Sequence, residues 1–597
     1  MSSTINKTEL ISKLQTLKGL TNEERSNLIG LLRQKKYGLV WEDKPEDVEE
    51  RLREELPVLR EVKQRAIVST DKDAPNHIII EGDNLEALTA LSYTHEGRID
   101  VIYIDPPYNT GNKDFVYNDS YVDKEDSYRH SKWLSFMNKR LKIAKRLLSD
   151  KGVIFISIDE GEFAQLKLLV DNIFLEYNLE GCLIWESTTQ PINAGSARFQ
   201  LQQKTENILF YSKSKNKRDR FILKVDKDNS PSYPHQGKLG RCRFEIIEKS
   251  DVGQYQRASM KFNILGQPPR SGKRWQIGLE TARKLENENK VEIVDGIVKR
   301  AIYPEDEIDK VKFIPFWSFF SANEYGSALS AKEELNTVMG NNIGFDTVKP
   351  TKLIRELFSH FHKNSTILDF FAGSGTTLHA TMQLNNEDGG HRQCILVTNN
   401  ENNICEDVTY ERNKRVINGY TTPKGVEVEG LKSNTLRYYK TDYISRDRTQ
   451  KNMRDLVNAS TDLLCIKEDL YTEKNKFGRY RVNPRLMRYF SDGKKHMLVV
   501  YREEIVDQLA VEIANLDFGN EKLKIYIFSP ARYAFNDNFA EVSEKVTLVA
   551  LPAAIYDAYE KVLPKRKEKL FELVEEARVA SETTQDLFSV QEEGGEQ

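Results

Sequence analysis

The chain has 597 residues, of which 39% are hydrophobic and 30% charged, and its formal net charge is -3. This length predicts several domains, and because no apolar run of transmembrane length and no secretory h-region occurs, we expect no membrane segment and a cytoplasmic location. Five cysteines without a CxxC pair and nine histidines without a zinc-binding spacing favour neither a disulfide scaffold nor a metal site.

The first 70 residues carry a helical pattern. Leucines recur at helical spacing over Leu10–Leu20, and Thr21-Asn-Glu-Glu24 is a capping box that opens a second helix. Glu46–Arg65 is a further amphipathic stretch, in which Pro57 predicts a kink. We therefore predict a helical N-terminal arm over residues 1–70, suited to docking or dimerisation.

Short apolar runs then alternate with helical stretches. Strands are predicted at His77–Ile80, Val101–Ile104, Val153–Ile158, Thr366–Asp369 and Cys394–Val397. Such strands indicate an α/β domain whose parallel sheet is covered on both faces. Its two halves span residues 71–180 and 346–422, with an insertion at 181–345, and residues 423–597 are predicted to form a further mixed α/β region.

The insertion carries a net positive charge. From Arg198 to Arg300 the sequence has 23 Lys and Arg against 12 Asp and Glu, so the remainder of the chain is acidic. A basic segment inside an acidic protein is a candidate surface for a phosphate backbone, although a solvated charged face gives the same composition. Candidate contacts to DNA are Arg198, Arg241, Arg243, Arg270, Arg274 and Trp275.

The first chemical motif, Asp105-Pro106-Pro107-Tyr108, directly follows a predicted strand. Ligands bind α/β sheets at the carboxyl ends of their strands, and two prolines fix the turn and free backbone carbonyls to point into a site. A carboxylate, a fixed carbonyl and an aromatic ring together suit an exocyclic amine on a planar base. The alternative is an ordinary Pro-Pro turn.

The second motif is the glycine-rich turn of Asp369-Phe-Phe-Ala-Gly-Ser-Gly-Thr-Thr377, between a strand and a helix. It lacks the lysine of a phosphate-binding loop and the third glycine of a dinucleotide fingerprint, which points to S-adenosylmethionine as the ligand. Asp83, after the first strand, is a candidate acceptor for the adenine amine of this cofactor, or a helix N-cap.

Together these motifs resemble the β-class amino-DNA methyltransferases, in which the catalytic motif precedes the cofactor motif. The strings Gly82-Asp-Asn-Leu-Glu-Ala-Leu88, Asp105-Pro-Pro-Tyr-Asn-Thr-Gly111 and Leu368-Asp-Phe-Phe-Ala-Gly-Ser-Gly-Thr-Thr377 are similar to those of the modification (Mod) subunits of type III restriction–modification systems. The resemblance covers residues 77–422. It implies a Rossmann-like S-adenosylmethionine-dependent methyltransferase domain with an inserted target-recognition domain.

The resemblance also implies roles for individual residues. Asp105, Pro106, Pro107 and Tyr108 would hold a flipped adenine. The cofactor would be lined by Asp83, Lys349, Pro350, Asp369, Phe371, Ala372, Gly373, Ser374, Gly375 and Thr376. Relatives carry an acidic residue at the end of the strand after the glycine loop to bind ribose; here Asn399 and Glu401 both remain candidates.

The function predicted on this basis is transfer of a methyl group to adenine N6 in double-stranded DNA. The resemblance implies a homodimer that works with a separate restriction subunit in a prokaryotic cytoplasm, near the nucleoid. An orphan methyltransferase would have the same sequence features. N4-cytosine methylation more often uses Ser, and glutamine or RNA methylation Asn, at the position of Asp105. A catalytically silent DNA-binding scaffold is the remaining alternative.

Overall fold

The structure is a computed structural model. It describes residues 41–111, 115–117, 120–123, 126–191, 199, 201–215, 221–225, 232–252, 257–307, 313–345, 347–519 and 521–566. The chain divides into two compact units, the first formed by Met1–Phe221 with Trp317–Gln597 and the second by Ile222–Phe316.

A ten-stranded mixed sheet organises the first unit. Its strands in chain order are β1 Glu55–Glu61, β2 Asn76–Glu81, β3 Ile99–Ile104, β4 Leu148–Ile158, β5 Leu179–Glu186, β6 Thr205–Ser212, β7 Phe319–Phe320, β8 Thr366–Asp369, β9 Gln393–Thr398 and β10 Thr435–Ser445. Their spatial order is β1-β10-β2-β9-β8-β3-β4-β6-β5-β7. The five central strands predicted from sequence are all present, which confirms an α/β domain.

The six strands from β10 to β4 are parallel, and β1 and β6 pair antiparallel on either side of them. From β3 the chain proceeds to β4 on one side, whereas from β8 it proceeds to β9 on the other. The direction of winding therefore reverses between β3 and β8. In open α/β sheets the crevice outside the carboxyl ends of the strands at such a point is the usual binding site.

The helices of the first unit pack against its sheets. In chain order they are α1 Asp47–Glu54, α2 Asn84–His95, α3 Arg129–Leu147, α4 Glu160–Phe174, α5 Ala322–Tyr325, α6 Ala328–Met339, α7 Thr351–Ser359, α8 Thr376–Asp388, α9 Glu411–Asn418, α10 Gln450–Ala459, α11 Thr461–Glu468, α12 Val506–Ala514 and α13 Ala553–Tyr559. The central strands are apolar on both faces because both are buried by these helices.

A second sheet follows in the same unit. Its strands are β11 Glu473–Lys474, β12 Met487–Ser491, β13 His496–Val500, β14 Leu523–Phe528 and β15 Val546–Leu551, in that spatial order. The last three strands are parallel, and α12 forms the crossover from β13 to β14. The mixed α/β character predicted for the C-terminal region is thus present as far as residue 566.

The second unit has a small core of its own. Four antiparallel strands lie in the order His235–Gly237, Gly240–Ile246, Ile297–Ile302 and Val291–Val294. Two strand pairs, Lys224–Val225 with Phe313–Ile314 and Glu248–Ser250 with Lys273–Trp275, and the helix Leu279–Asn287 complete it. Trp275 and Val298 lie in its hydrophobic core.

One predicted helix and two predicted domain boundaries need correction. Glu46–Arg65 was expected to be a kinked helix, but α1 ends at Glu54 and Pro57 lies in the edge strand β1, where its missing N–H is tolerated. The insertion was predicted at 181–345, yet β5 and β6 belong to the main sheet and the separate unit is only Ile222–Phe316. The strand β10 also joins the main sheet, beyond the predicted boundary at 422.

The rest of the predicted arm, residues 1–40, lies outside the described residues. No helix in the described ranges is long and apolar enough to cross a membrane.

Candidate active site

Both predicted motifs lie at the reversal point of the main sheet. Asp105 directly follows β3, and Asp369 is the last residue of the neighbouring strand β8. Because β6 runs antiparallel to β4, its first residues reach the same edge, with Asn207 opposite Ile158. Side chains from four separate parts of the chain therefore converge on one crevice.

Four polar side chains form a hydrogen-bonded cluster in this crevice. The ammonium of Lys349 lies 2.8 and 2.7 Å from the two carboxylate oxygens of Asp105, and donates to the Tyr108 hydroxyl at 2.8 Å. The Tyr108 hydroxyl lies 2.9 Å from Asp105 Oδ1 and 2.8 Å from Glu206 Oε2. Lys349 also lies 3.3 Å from Glu206 Oε2. We call Asp105, Tyr108, Glu206 and Lys349 the catalytic cluster.

The electrostatics of the catalytic cluster keep Lys349 charged and Tyr108 neutral. Burial acts to lower the pKa of Lys349, but the Asp105 and Glu206 carboxylates more than offset it and raise that pKa above its ordinary value. Burial, together with both carboxylates, raises the pKa of Tyr108 well above its usual range. The cluster therefore contains a protonated lysine and a neutral phenol at neutral pH.

The two prolines of the motif present their carbonyls differently. The Trp133 indole donates to the Pro107 carbonyl at 2.7 Å, which holds the turn against α3. No donor in the described part of the chain bonds the Pro106 carbonyl. Asn109 then turns the backbone with a φ of 58° and donates to Glu162 at 2.6 Å. The turn therefore offers a rigid carboxylate and an available carbonyl side by side.

Residues of α9 and of the segment before it donate hydrogen bonds to the glycine loop. The Thr409 hydroxyl donates to the Gly373 carbonyl at 2.6 Å. The guanidinium of Arg412, which is fully buried, donates to Ser374 Oγ at 3.2 Å and to Thr376 Oγ1 at 2.7 Å. Burial lowers the pKa of Arg412 to about 10. Both residues were missed by the sequence analysis, because nothing in the loop sequence identifies its supports.

Gly375→Ala is expected to damage this loop more than a substitution at the other end of the same helix. Gly375 has a φ of 73°, and a Cβ there would lie 2.5 Å from Asn413 Nδ2. Left-handed backbone alone costs a non-glycine residue about 1–2 kcal/mol, and overlap adds to it. Thermal unfolding and cofactor titration measure the effect.

Gly389→Ala is the matched control, because Gly389 has a similar φ of 66° with open space around it. It should lower the melting temperature less and leave cofactor affinity unchanged. Equal effects of the two substitutions on both quantities would refute the packing argument.

Asp369 predicts a pH dependence of stability. Burial raises the pKa of its carboxyl to about 7, against hydrogen bonds from Thr377 and the Phe371 amide that favour the ionised form. The folded protein keeps this proton up to near-neutral pH, whereas the unfolded chain loses it near pH 4. This contribution is therefore full below about pH 4 and declines by a few kcal/mol as the pH rises through 7.

In Asp369→Asn, the free energy of unfolding should fall less steeply between pH 5 and 8 than in the wild type. Denaturant unfolding of the ligand-free protein at several pH values measures both slopes. Identical slopes would show that Asp369 does not titrate in this range.

Several other predicted cofactor residues lie near the loop at neighbouring strand ends. Asp83 caps α2 by accepting from the Leu85 amide at 2.7 Å, and its side chain keeps 38% exposure. Asn399 and Glu401 are both exposed after β9, so the choice between them stays open. The ammonium of Lys349 lies in the catalytic cluster, and Pro350 caps α7; their contact with the cofactor stays a prediction.

The residues predicted to contact DNA differ in burial and in ion pairing. Trp275 is wrong, because its ring is fully buried and its indole donates to the Phe262 carbonyl at 2.6 Å. Arg243 and Arg270 are paired with Glu307 and Glu248, both at 2.7 Å. Of the remaining candidates, Arg274 lies 3.7 Å from Asp251, Arg241 is exposed, and Arg198 lies outside the described residues.

Glu206 is the cluster member that the sequence analysis missed. It lies in β6, which falls within the range predicted for the insertion but belongs to the main sheet. Its sequence signal is a charged residue two positions before the apolar run Ile208–Tyr211, but only the antiparallel pairing of β6 places it beside Tyr108.

A reversal point with an Asp-Pro-Pro-Tyr turn on one strand and a glycine loop on the next defines an amino-group methyltransferase site. A family model described as DNA methylase matches residues 99–419, more than half of the chain. The chain belongs to this DNA methylase family.

Curated relatives agree with the family. The chain is 34% identical over 356 residues to the type III restriction-modification enzyme StyLTI Mod subunit of Salmonella typhimurium, covering 54% of this chain and 52% of that protein. It is 32% identical over 379 residues to the type II methyltransferase M.KpnI of Klebsiella pneumoniae, covering 58% and 87%. The resemblance to type III Mod subunits is thus confirmed, although the match spans about half of the StyLTI subunit's length.

Among solved structures, a complex of M1.HpyAVI with SAM is 13% identical and has a TM-score of 0.30, covering 56% of this chain and 98% of that one.

Proposed function

We propose that this protein transfers a methyl group from S-adenosylmethionine to adenine N6 in double-stranded DNA. The observation that carries the proposal is the catalytic cluster facing the glycine loop across the reversal point of the sheet. Aspartate at position 105 favours adenine over cytosine, because the resemblance associates a first-position serine with cytosine enzymes.

The cofactor pocket suits a cation. Among the described residues, the Asp369 carboxyl accepts hydrogen bonds only from two neutral groups, the Thr377 hydroxyl and the Phe371 amide, and a positive ligand nearby would stabilise its ionised form. Asp83, with Asn399 or Glu401, offers acceptors for the adenine amine and the ribose hydroxyls. S-adenosylmethionine, when bound, supplies an electrophilic methyl group on a sulfonium, and the bond electrons remain with sulfur on transfer.

The chain's own residues orient the amine and stabilise charge on it. The Asp105 carboxylate and the Pro106 carbonyl accept the two N–H bonds of the adenine amine, so its lone pair points away from the ring. Positive charge that develops on N6 is stabilised by the Asp105 carboxylate, which Lys349 positions through hydrogen bonds to both of its oxygens. After the new C–N bond forms, N6 gives up one proton to Asp105 and then to water.

The target base must leave the duplex to reach this crevice. Its amine is paired in double-stranded DNA, and the catalytic cluster is largely buried, with Lys349 only 8% exposed. Base flipping brings the target adenine out of the duplex and into the crevice. Tyr108 provides the aromatic side chain against which the flipped base stacks.

The second unit, Ile222–Phe316, is the proposed target-recognition domain. It keeps most of the basic segment, and its exposed Arg241 is available for phosphate or guanine. By analogy with the type III Mod relatives, the protein works as a homodimer with a separate restriction subunit, in the cytoplasm of a prokaryote in contact with the nucleoid.

Methylation sequencing of DNA from cells that express this chain alone tests the proposal, with Asp105→Ala as the control. One sequence motif carrying N6-methyladenine only in wild-type cells is the expected result. N4-methylcytosine instead would correct the target base. No mark in either strain, although the soluble protein binds S-adenosylmethionine, would refute DNA methylation by this chain alone.

A further inference from the structure

A cavity in the C-terminal part of the first unit lies where α/β sheets bind ligands. It has a volume of about 360 Å³ and is lined by Arg454, Asn458, Arg485, Tyr501, Arg502 and Phe528 among others. Tyr501 and Arg502 directly follow β13, and Phe528 is the last residue of the parallel neighbour β14. The cavity is therefore at the carboxyl ends of two parallel strands.

Three guanidinium groups face this cavity without a counter-ion. Within the described ranges, no carboxylate oxygen lies within 4.0 Å of the guanidinium of Arg454, Arg485 or Arg502. Arg454 is also 5.7 Å from the centre of the Phe528 ring. Like charges around one cavity repel each other, so an anion bound between them would stabilise the arrangement.

In a second arginine-lined cavity of the same unit, the arginines do have protein partners. It has a volume of about 390 Å³ and contains Arg446, Arg448 and Arg566. There Arg448 pairs with Glu560, Arg566 pairs with Asp447 at 2.9 Å, and Arg446 donates to backbone carbonyls. Those arginines hold the structure together, whereas the three around Phe528 form no ion pair with any described residue.

We propose that the cavity formed by Arg454, Arg485 and Arg502 at the ends of β13 and β14 binds a phosphate ester. The planar guanidinium matches phosphate oxygens with paired hydrogen bonds, and three of them suit a group with several acceptor oxygens. The exposed amide of Asn458 adds a donor, and the Phe528 ring gives an apolar wall for the attached sugar or base. The phosphate belongs either to a free nucleotide or to the DNA backbone.

Two binding measurements on the full-length protein test this site. The variant is Arg485→Gln/Arg502→Gln. The control is Arg481→Gln, which changes a nearby exposed arginine in sequence that does not line the cavity. Calorimetry with inorganic pyrophosphate probes a free nucleotide, because pyrophosphate has no adenosine to enter the cofactor site. Fluorescence anisotropy with a labelled DNA duplex, over a range of salt concentrations, probes the backbone.

Pyrophosphate binding that weakens at least tenfold in the double variant, but not in the control, supports a nucleotide site. Weaker DNA binding with a salt slope reduced by about 0.9 for each lost phosphate contact supports a backbone site. The proposal is overturned if pyrophosphate does not bind the wild type and the double variant binds DNA as the control does. Equal melting temperatures confirm that both variants fold, and the outcome is independent of methyl transfer at Asp105.

Discussion

Asp105→Asn is expected to lower the rate of methyl transfer to DNA by about 100-fold to 1,000-fold, the loss typical when one charge-stabilising group is removed from an active site. The asparagine amide retains the shape of the carboxylate, but it cannot stabilise positive charge on the amine. Asp105 belongs to the catalytic cluster, and in the described part of the chain no hydrogen bond joins its side chain to the glycine loop, so cofactor affinity should change little. Single-turnover methylation and a separate cofactor titration distinguish the two quantities.

Asp100→Asn is the matched control. Asp100 lies on the same strand β3, at its other end, where it accepts from Ser149 and from the Thr366 amide. The methylation rate of the folded control protein should equal that of the wild type. If Asp105→Asn keeps the wild-type rate, the assignment of the catalytic motif is wrong.

Lys349→Met should be nearly as harmful. Without the ammonium, the Asp105 and Glu206 carboxylates would lose the cation that bonds to both of them. Removing one partner of a buried ion pair costs about 3–5 kcal/mol, because the remaining charges are left uncompensated. We expect single-turnover methylation to fall by about 100-fold, with little change in cofactor affinity.

Lys352→Met is the control for this variant, because Lys352 lies on α7 three residues further on and is exposed. Its rate should match that of the wild type. A Lys349→Met protein that keeps the wild-type rate would show that the ammonium does not support the Asp105 carboxylate.

The strands and the two motifs were predictable because their signals are local. Each central strand is a continuous apolar run, and each motif directly follows one of them, so the order along the chain specifies the edge of the sheet where they meet. Parallel pairing then requires Asp105 and Asp369 to be neighbours.

The remaining site residues depend on long-range pairing. Lys349 reaches Asp105 across 244 positions of the chain, and Glu206 reaches Tyr108 only because β6 returns antiparallel to β4. The helix predicted around Pro57 is wrong for a related reason. A proline within an amphipathic stretch predicts a kinked helix, and only the pairing of β1 with β10 shows that it occupies an edge strand.

The most direct test of methyl transfer to adenine uses purified protein, duplex DNA and S-adenosylmethionine with a deuterated methyl group. After digestion to nucleosides, mass spectrometry identifies the labelled product. The account predicts deuterated N6-methyldeoxyadenosine from the wild type and almost none from Asp105→Asn. Labelled N4-methyldeoxycytidine, or unlabelled DNA from a wild-type protein that binds both cofactor and DNA, would contradict it.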